Sequence, residues 1–348
     1  MDQRCAPAFE RERRILYVHK RTLKPGLQRA SVSIVVVVVS IAASAPSGSF
    51  ADEGGVSFWY PGTYGSLAAL PQQPGWSLSV THYHATVSAR GFTGGTSAAT
   101  DSNYNEHTDQ VLFGAAYVFA TPFLGAQASL GMSSLYGRDT VRLSTASFAP
   151  SDNISESATG FGDLFPVFSL RWNQGVNNLM TYVTGDIPIG VYNPLRLAYL
   201  GVGHGAIDAG GAYTYFNSKT GQEFSGTLGF TYNPINPSTH YQSGVDMHFD
   251  WGASQFLTEH LHVGLVGYVY KEIGCDSGSG NRVGCFRSQV AGIGPQIGFN
   301  FPLGGMAGYL SLRAYKEFDA KNRPDGWNAW VSFELSPTAI SSSLPSKK

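Results

Sequence analysis

Charge is scarce in this sequence. Asp, Glu, Lys and Arg together make up 14% of its 348 residues, where soluble domains average about 25%. The formal net charge is −1, and no basic stripe follows the N-terminal segment, so a nucleic-acid-binding surface is excluded. Long apolar runs are also missing apart from one near the N-terminus, which argues against a bundle of transmembrane helices. Intrinsic disorder is excluded because aromatics reach 13% and net charge is low. Glycine is abundant instead, 42 residues of 348, against an average near ~7%. Rich in glycine and aromatics and poor in charge, the composition fits a β-rich protein whose polar and apolar residues alternate finely.

The one apolar run belongs to an address. Arg4, Arg11, Arg13, Arg14, Lys20, Arg21, Lys24 and Arg29 precede the apolar stretch 32–43, and small residues follow up to Ala51. A basic region, a short apolar core and a small-residue site describe a secretory signal peptide. The core is too short to anchor comfortably in a bilayer. Cleavage after Ala45 satisfies the small-residue rule but leaves Pro46 first, so residues 1–51 are read as the signal. Their removal takes away eight basic and three acidic residues and leaves a net charge near −6. Cysteine usage agrees with export. Cys5 falls in the signal, and Cys275 and Cys285 bracket a short Gly/Ser-rich loop. An isolated pair in an exported protein reads as a disulfide. The alternative, a metal clip, has no histidine in that loop to complete it.

From Trp76 onward the chain is a series of segments with a period of two. Phe224, Gly226, Leu228, Phe230 and Tyr232 alternate with Ser225, Thr227, Gly229 and Thr231; Met247, Phe249 and Trp251 alternate with Asp246, His248 and Asp250. Successive strand side chains point to opposite faces, so each segment has one oily and one wet or small face. Twelve such segments are expected, at 76–89, 109–120, 124–136, 161–173, 178–190, 205–217, 223–233, 243–257, 260–272, 287–301, 307–318 and 326–335. Their connections alternate between short turns and longer loops. With an even strand number and an export signal, this predicts an all-β fold, a transmembrane antiparallel β-barrel of about 12 strands in the bacterial outer membrane. Trp76, Tyr117, Phe119, Trp172, Tyr232, Trp251, Trp327 and Phe333 near segment ends fit its aromatic belts. Both termini then lie on the periplasmic side and the cysteine loop outside the cell. Residues 336–348 form a tail.

Two stretches do not fit a barrel wall. Residues 52–75 hold three prolines and five glycines and are not a ladder-forming strand. Phe58, Trp59, Tyr60 and Tyr64 ask for burial, so this stretch is read as an N-terminal luminal plug, with two helical turns expected over 63–70. The second is 193–201, where an Asn-Pro start and a terminal glycine predict a short helix folded over the mouth.

Several motifs resemble one family. They are Gly54-Gly-Val-Ser-Phe-Trp-Tyr-Pro-Gly62, Pro74-Gly-Trp-Ser-Leu78, Gly162-Asp-Leu164, Gly185-Asp-Ile-Pro-Ile-Gly190, Gly203-His-Gly-Ala-Ile-Asp-Ala-Gly210, Asp250-Trp-Gly-Ala-Ser254 and Arg323-Pro-Asp-Gly-Trp-Asn328. Together they make the chain similar to the "meta-pathway of phenol degradation" family over about residues 53–336. The resemblance implies an outer-membrane transporter associated with aromatic catabolism, similar in outline to the long-chain fatty acid channels with their N-terminal plug. The expected partners are therefore small hydrophobic or aromatic solutes and outer-membrane lipids. The extended tail departs from barrels that end on an aromatic final strand.

The sharpest polar stripe is Asp246, His248 and Asp250, which period two turns to the lumen. Neighbours along one strand face lie about 7 Å apart, too wide for a shared metal ion, so the stripe is read as a polar lining or ligand site. Further lumen candidates are Asp163, Arg171 and Asn173 on one strand, Asp186 on the next, and Arg313 with Glu317, expected to pair as opposite charges because buried charges need partners. His82 with His84, and His204 with Asp208, are expected to share faces. No G-x-S-x-G, phosphate loop, H-E-x-x-H or C-x-x-C is present, so no enzyme activity and no cofactor are expected. The functional expectation is passive uptake of small hydrophobic or aromatic compounds; a surface-interaction barrel without transport is the alternative.

Overall fold

Alternation along each segment leaves no self-contained core, because the oily face of a single sheet needs either a second sheet or lipid. In the computed structural model the sheet closes on itself, which also satisfies every strand edge as a bilayer requires. The structure describes residues 57–90, 101–146, 153–282 and 284–338. Its strands are β1 (Gly75–Arg90), β2 (Asp101–Val118), β3 (Gln127–Ala146), β4 (Asn153–Gln174), β5 (Asn177–Asp186), β6 (Ala206–Asn217), β7 (Gln222–Tyr232), β8 (Asp246–Phe256), β9 (Leu261–Glu272), β10 (Gln289–Leu303), β11 (Met306–Lys321) and β12 (Asp325–Pro337). Each pairs antiparallel with its sequence neighbours, and β1 meets β12 from Leu78↔Leu335 to Ser88↔Asp325 to close the ring.

The burial pattern is inverted relative to a soluble sheet. On β7, Phe224, Leu228, Phe230 and Tyr232 are exposed, whereas Glu223, Ser225, Thr227 and Thr231 are buried. Oily outside and polar inside is the arrangement of a membrane barrel. Trp76, Tyr117, Phe119, Tyr232 and Trp327 are exposed on the outer surface, with Trp76 and Tyr117 in edge contact at 5.3 Å. Short turns join the strands at one end; Gly304 and Gly305 in the β10–β11 turn both adopt positive φ, a conformation glycine takes without steric cost.

All twelve expected strands are present, but three run well past one expected end. β2 begins at Asp101 rather than 109, β3 runs to Ala146 rather than 136, and β4 begins at Asn153 rather than 161. β3 also starts later, at Gln127, because Leu124 has φ 53° in a turn closed by the Phe123–Ala126 bridge.

The expected helix at 193–201 is not formed. Asn193 uses its side chain to accept from the Leu195 N–H at 2.9 Å, and a single turn closes from Arg196 N–H to Asn193 O. Two further N–H groups go to the wall, Leu197 to Glu156 and Val202 to Asp163, while Leu200 donates to Val191 O within the loop itself. Backbone donors spent on the barrel are not available for i→i−4 bonds. The loop still folds inward, with Ala198 and Leu200 buried. On the neighbouring loop, Cys275 and Cys285 are joined in a disulfide, and Ser277 pairs with Gln242 of the loop after β7. The signal-peptide assignment falls outside the described residues, as does the tail beyond 338; Ser336 and Pro337, assigned to the tail, extend β12 instead.

Candidate functional site, a threaded and divided lumen

Residues 57–74 run down the inside of the barrel, from the long-loop end to the start of β1. Their rail is the inward face of β8. Ser57 Oγ donates to Asp246 at 3.5 Å. Trp59 stacks on His248 with ring centroids 3.6 Å apart and planes 15° apart. Gly62 N and Tyr64 N donate to the two oxygens of Asp250 at 3.0 and 3.1 Å. Ser66 bonds Ser254. Gly252 permits this approach, since a Cβ there would lie 2.6 Å from Ser66 N. Lower down, Leu67 N donates to Glu223, Ala69 N to Thr214 Oγ1, and Gln72 exchanges two bonds with Gln127. The expected helical turns over 63–70 are absent for the same reason as in the loop. Two isolated turns, Thr63 N–H to Tyr60 O and Leu70 N–H to Leu67 O, are all that remains.

Other strands grip the same segment. Arg313 Nη1 donates to Gly62 O at 2.8 Å and Thr63 O at 3.3 Å, and its guanidinium lies 5.2 Å from the Trp330 ring. The Gly62–Tyr64 turn is thus held by a carboxylate on its N–H groups and a guanidinium on its carbonyls. Tyr60 donates to Gln110 at 3.0 Å. Phe58 and Tyr64 pack towards Phe165 and Tyr182.

The predicted lumen residues all face inward, but they do not pair as opposite charges. Asp163 accepts from Gly190 N at 2.6 Å and Val202 N at 2.8 Å, tying the loop after β5 to the wall. Asp186 lies beside Asp163 rather than a cation, and neither of its buried oxygens has a hydrogen-bond partner among the described residues. Arg171 donates to Ser129 and Ser169. Glu317 accepts from Tyr268 OH at 2.8 Å and Gly326 N at 2.9 Å. Asp163 and Glu317 are thus satisfied by backbone and hydroxyl donors rather than by a cation, as buried polar groups generally find a partner. His248 Nε2 and Asp208 meet at 2.9 Å with both side chains buried, and Thr231 donates to the same carboxylate. Asp208 therefore serves His248; His204 lies outside the strand and bonds Gly205 O. His82 and His84 face outward, beside Asp109. Among the described residues no group of three or more His, Cys, Asp or Glu is placed to hold a metal ion.

Sequence reasoning did not single out Gln110, Gln127, Thr214, Glu223, Ser225 or Gln296. Each is an inward residue on a strand whose face follows from the period of two; its partner on the threaded segment was not legible.

Around this segment the lumen divides into three cavities. The outer one, 110 Å³, is lined by Tyr83, Tyr104, Glu106, Asp139, Tyr199 and Glu317 among others. The middle one, 170 Å³, is lined by Phe58, Leu112, Phe165, Val167 and Thr184, and the lower one, 410 Å³, by Arg171, Gln296, Tyr309, Arg313 and Glu334. Trp59 and Tyr60 form walls of both the outer and middle cavities; Thr63 and Tyr64 form walls of both the middle and lower ones.

A family model described as "Putative MetA-pathway of phenol degradation" matches residues 88–333. The chain belongs to this family. No curated protein matches it in sequence. Among solved structures it is similar to the COG4313 outer membrane channel from Pseudomonas putida F1, at 14% identity and TM-score 0.61, over 80% of this chain and 99% of that one. Lower likenesses are to a Pseudomonas aeruginosa FadL homologue, at 10% identity and TM-score 0.36 over 75% and 89% of the two chains, and to the CymD monoaromatic hydrocarbon channel, at 7% and 0.38 over 76% and 89%. Family, closed twelve-stranded barrel and inverted burial together make this phenol-degradation family member a β-barrel of outer-membrane type.

Proposed function

We propose that the protein is a passive outer-membrane channel for small hydrophobic or aromatic compounds, with the segment 57–74 as its internal plug. The observation that carries this reading is a series of three luminal cavities in which each neighbouring pair shares two plug residues as walls. The middle cavity, at 170 Å³ and walled by Phe58, Trp59, Tyr60, Tyr64 and Phe165, is of the order of the ~150 Å³ apolar cavities that accept benzene. A ring enters from the outer cavity when Trp59 and Tyr60 shift, and leaves below when Thr63 and Tyr64 shift. The wall itself stays closed. The neighbouring solved channels, one named for monoaromatic hydrocarbons, suggest the same solute class. Lipids of the outer membrane contact the exposed belt, the long loops lie outside the cell, and residues 1–51 are removed on export. Asp246, His248 and Asp250 position the plug; no catalytic role is assigned to them.

Uptake of phenol or benzyl alcohol into liposomes tests the reading. Faster entry with the protein than without it, and faster still after deletion of residues 52–75, is the expected result. Equal entry with and without protein overturns it. The dense anchoring of the plug favours one other reading, a surface-interaction barrel without transport; absence of conductance even after that deletion selects it.

A further inference from the structure

The lower cavity holds two guanidinium groups. Arg171 and Arg313 both line it. Among the described residues neither has a carboxylate within ion-pair distance, and the Nε of each is buried without a hydrogen-bond partner. Glu334 lines the same cavity and acts electrostatically on both from beyond that distance, leaving the cavity net cationic. The outer cavity has the opposite character, with Glu106, Asp139 and Glu317 against Arg323.

The inward face of β4 runs Phe165, Val167, Ser169, Arg171, so the wall passes from the aromatic middle cavity to the guanidinium in three steps of about 7 Å. Arg171 folds back up this face: its Nη1 bonds Ser169, one step higher, and Ser129 on β3. Its charge is therefore carried towards the floor of the middle cavity. The Tyr64 ring lies at the same level and feels that charge. An apolar slot sized for one ring with a guanidinium at its lower exit is complementary to an aromatic ring bearing an anionic oxygen, since guanidinium donors match a carboxylate in geometry and charge.

We propose that Arg171, assisted by Arg313, forms an anion subsite that binds the carboxylate of a monoaromatic acid while its ring occupies the aromatic cavity above. This rests on the uptake reading and names a substrate class within it.

The test is equilibrium binding of benzoate and of benzamide, its neutral counterpart, to the purified full chain in detergent at pH 7. Benzoate is expected to bind at least about tenfold more tightly, a difference of ~1.4 kcal/mol, and the preference is expected to fall as NaCl is raised. R171Q should abolish the preference, and R171K should keep part of it. Equal binding of the two ligands by the wild-type chain, or a preference that survives R171Q, overturns the subsite. Because the wild-type comparison decides alone, a misfolded variant does not rescue it. If benzyl alcohol still crosses liposomes while the preference is absent, the subsite fails and the uptake reading stands. If no ring compound binds or crosses, both fail.

Discussion

Replacing Asp250 should release the plug at the Gly62–Tyr64 turn. Its two oxygens accept the N–H groups of Gly62 and Tyr64 at 3.0 and 3.1 Å, and the residue is almost fully buried. Hydrogen bonds to a charged acceptor contribute about 1.5–3 kcal/mol each, so Asp250→Ala removes roughly 3–6 kcal/mol from the latched state. That raises the population of a displaced turn about 10²–10⁴-fold. The lower anchors, Leu67 to Glu223, Ala69 to Thr214 and Gln72 to Gln127, are untouched, so the barrel and the rest of the plug stay in place. Asp250→Asn is the sharper probe. It preserves volume and one acceptor but turns an NH₂ donor towards an N–H donor, and it should release the turn nearly as well. Two measurements follow the effect, amide exchange at Gly62 and Tyr64 and the rate of benzyl alcohol entry into liposomes. Arg313→Met removes the bonds to Gly62 O and Thr63 O from the other side. Because both residues hold one turn, the double variant should change exchange by less than the sum of the singles. If exchange and entry in both Asp250 variants stay within about twofold of wild type, well below the change expected from the loss of such bonds, the latch argument is wrong.

Other consequences follow from the same geometry. Trp59→Ala removes the ring that stacks on His248 and separates the outer and middle cavities; solute entry should rise, and thermal stability should fall by about 3–5 kcal/mol. Gly252→Val should expel the 65–66 segment, because the Cβ meets Ser66 N, and exchange at Ser66 should accelerate while the β8 amides stay protected. Cys275→Ser with Cys285→Ser should cost about 2–3 kcal/mol by loop entropy, confined to the loop, so proteolysis there increases without a change in barrel melting. Leu228→Arg, on the lipid side of β7, should lower folding stability in lipid vesicles by about 2–4 kcal/mol, measured by denaturant titration.

The barrel was legible because its governing constraint is local. A lipid-facing residue followed by a lumen-facing one repeats every two positions, and β7 and β8 follow the expected alternation residue by residue. The signal fades where the constraint does. The added ends of β2, β3 and β4 carry polar residues on the outward face too, Asn105, Arg138 and Ser157 among them, so no apolar period marks them. The two expected helices failed for a different reason. Asn193 and the 63–70 stretch have acceptable local helix signals, but Glu156, Asp163, Asp250, Glu223 and Thr214 take their N–H groups. Those acceptors lie far away in sequence, and no local rule contains them. The same distance hid the pairing of the lumen charges. That Asp246, His248 and Asp250 face inward follows from spacing; that Asp250 would hold a backbone turn and His248 a tryptophan required the threaded segment to be in place.

A segment held in this way differs in kind from the wall that holds it. The wall is a closed ladder in which each strand fixes the register of two others, so a shift at one point must be shared around the ring. The plug has no ladder of its own. Its anchors at Asp246, Asp250, Ser254, Glu223, Thr214 and Gln127 are separate side-chain bonds to different strands. Breaking one leaves the others intact, and the freed N–H can turn to water in the adjoining cavity. Local opening therefore costs a few bonds at a time rather than the stability of the fold. This explains why the backbone of 57–74 is irregular: a helix or strand in the bore would satisfy its own backbone and move only as a unit, closing or clearing all three cavities together. An irregular thread lets Trp59 and Tyr60 yield while Thr63 and Tyr64 stay shut, so a solute can advance one cavity at a time without the bore ever standing open to water.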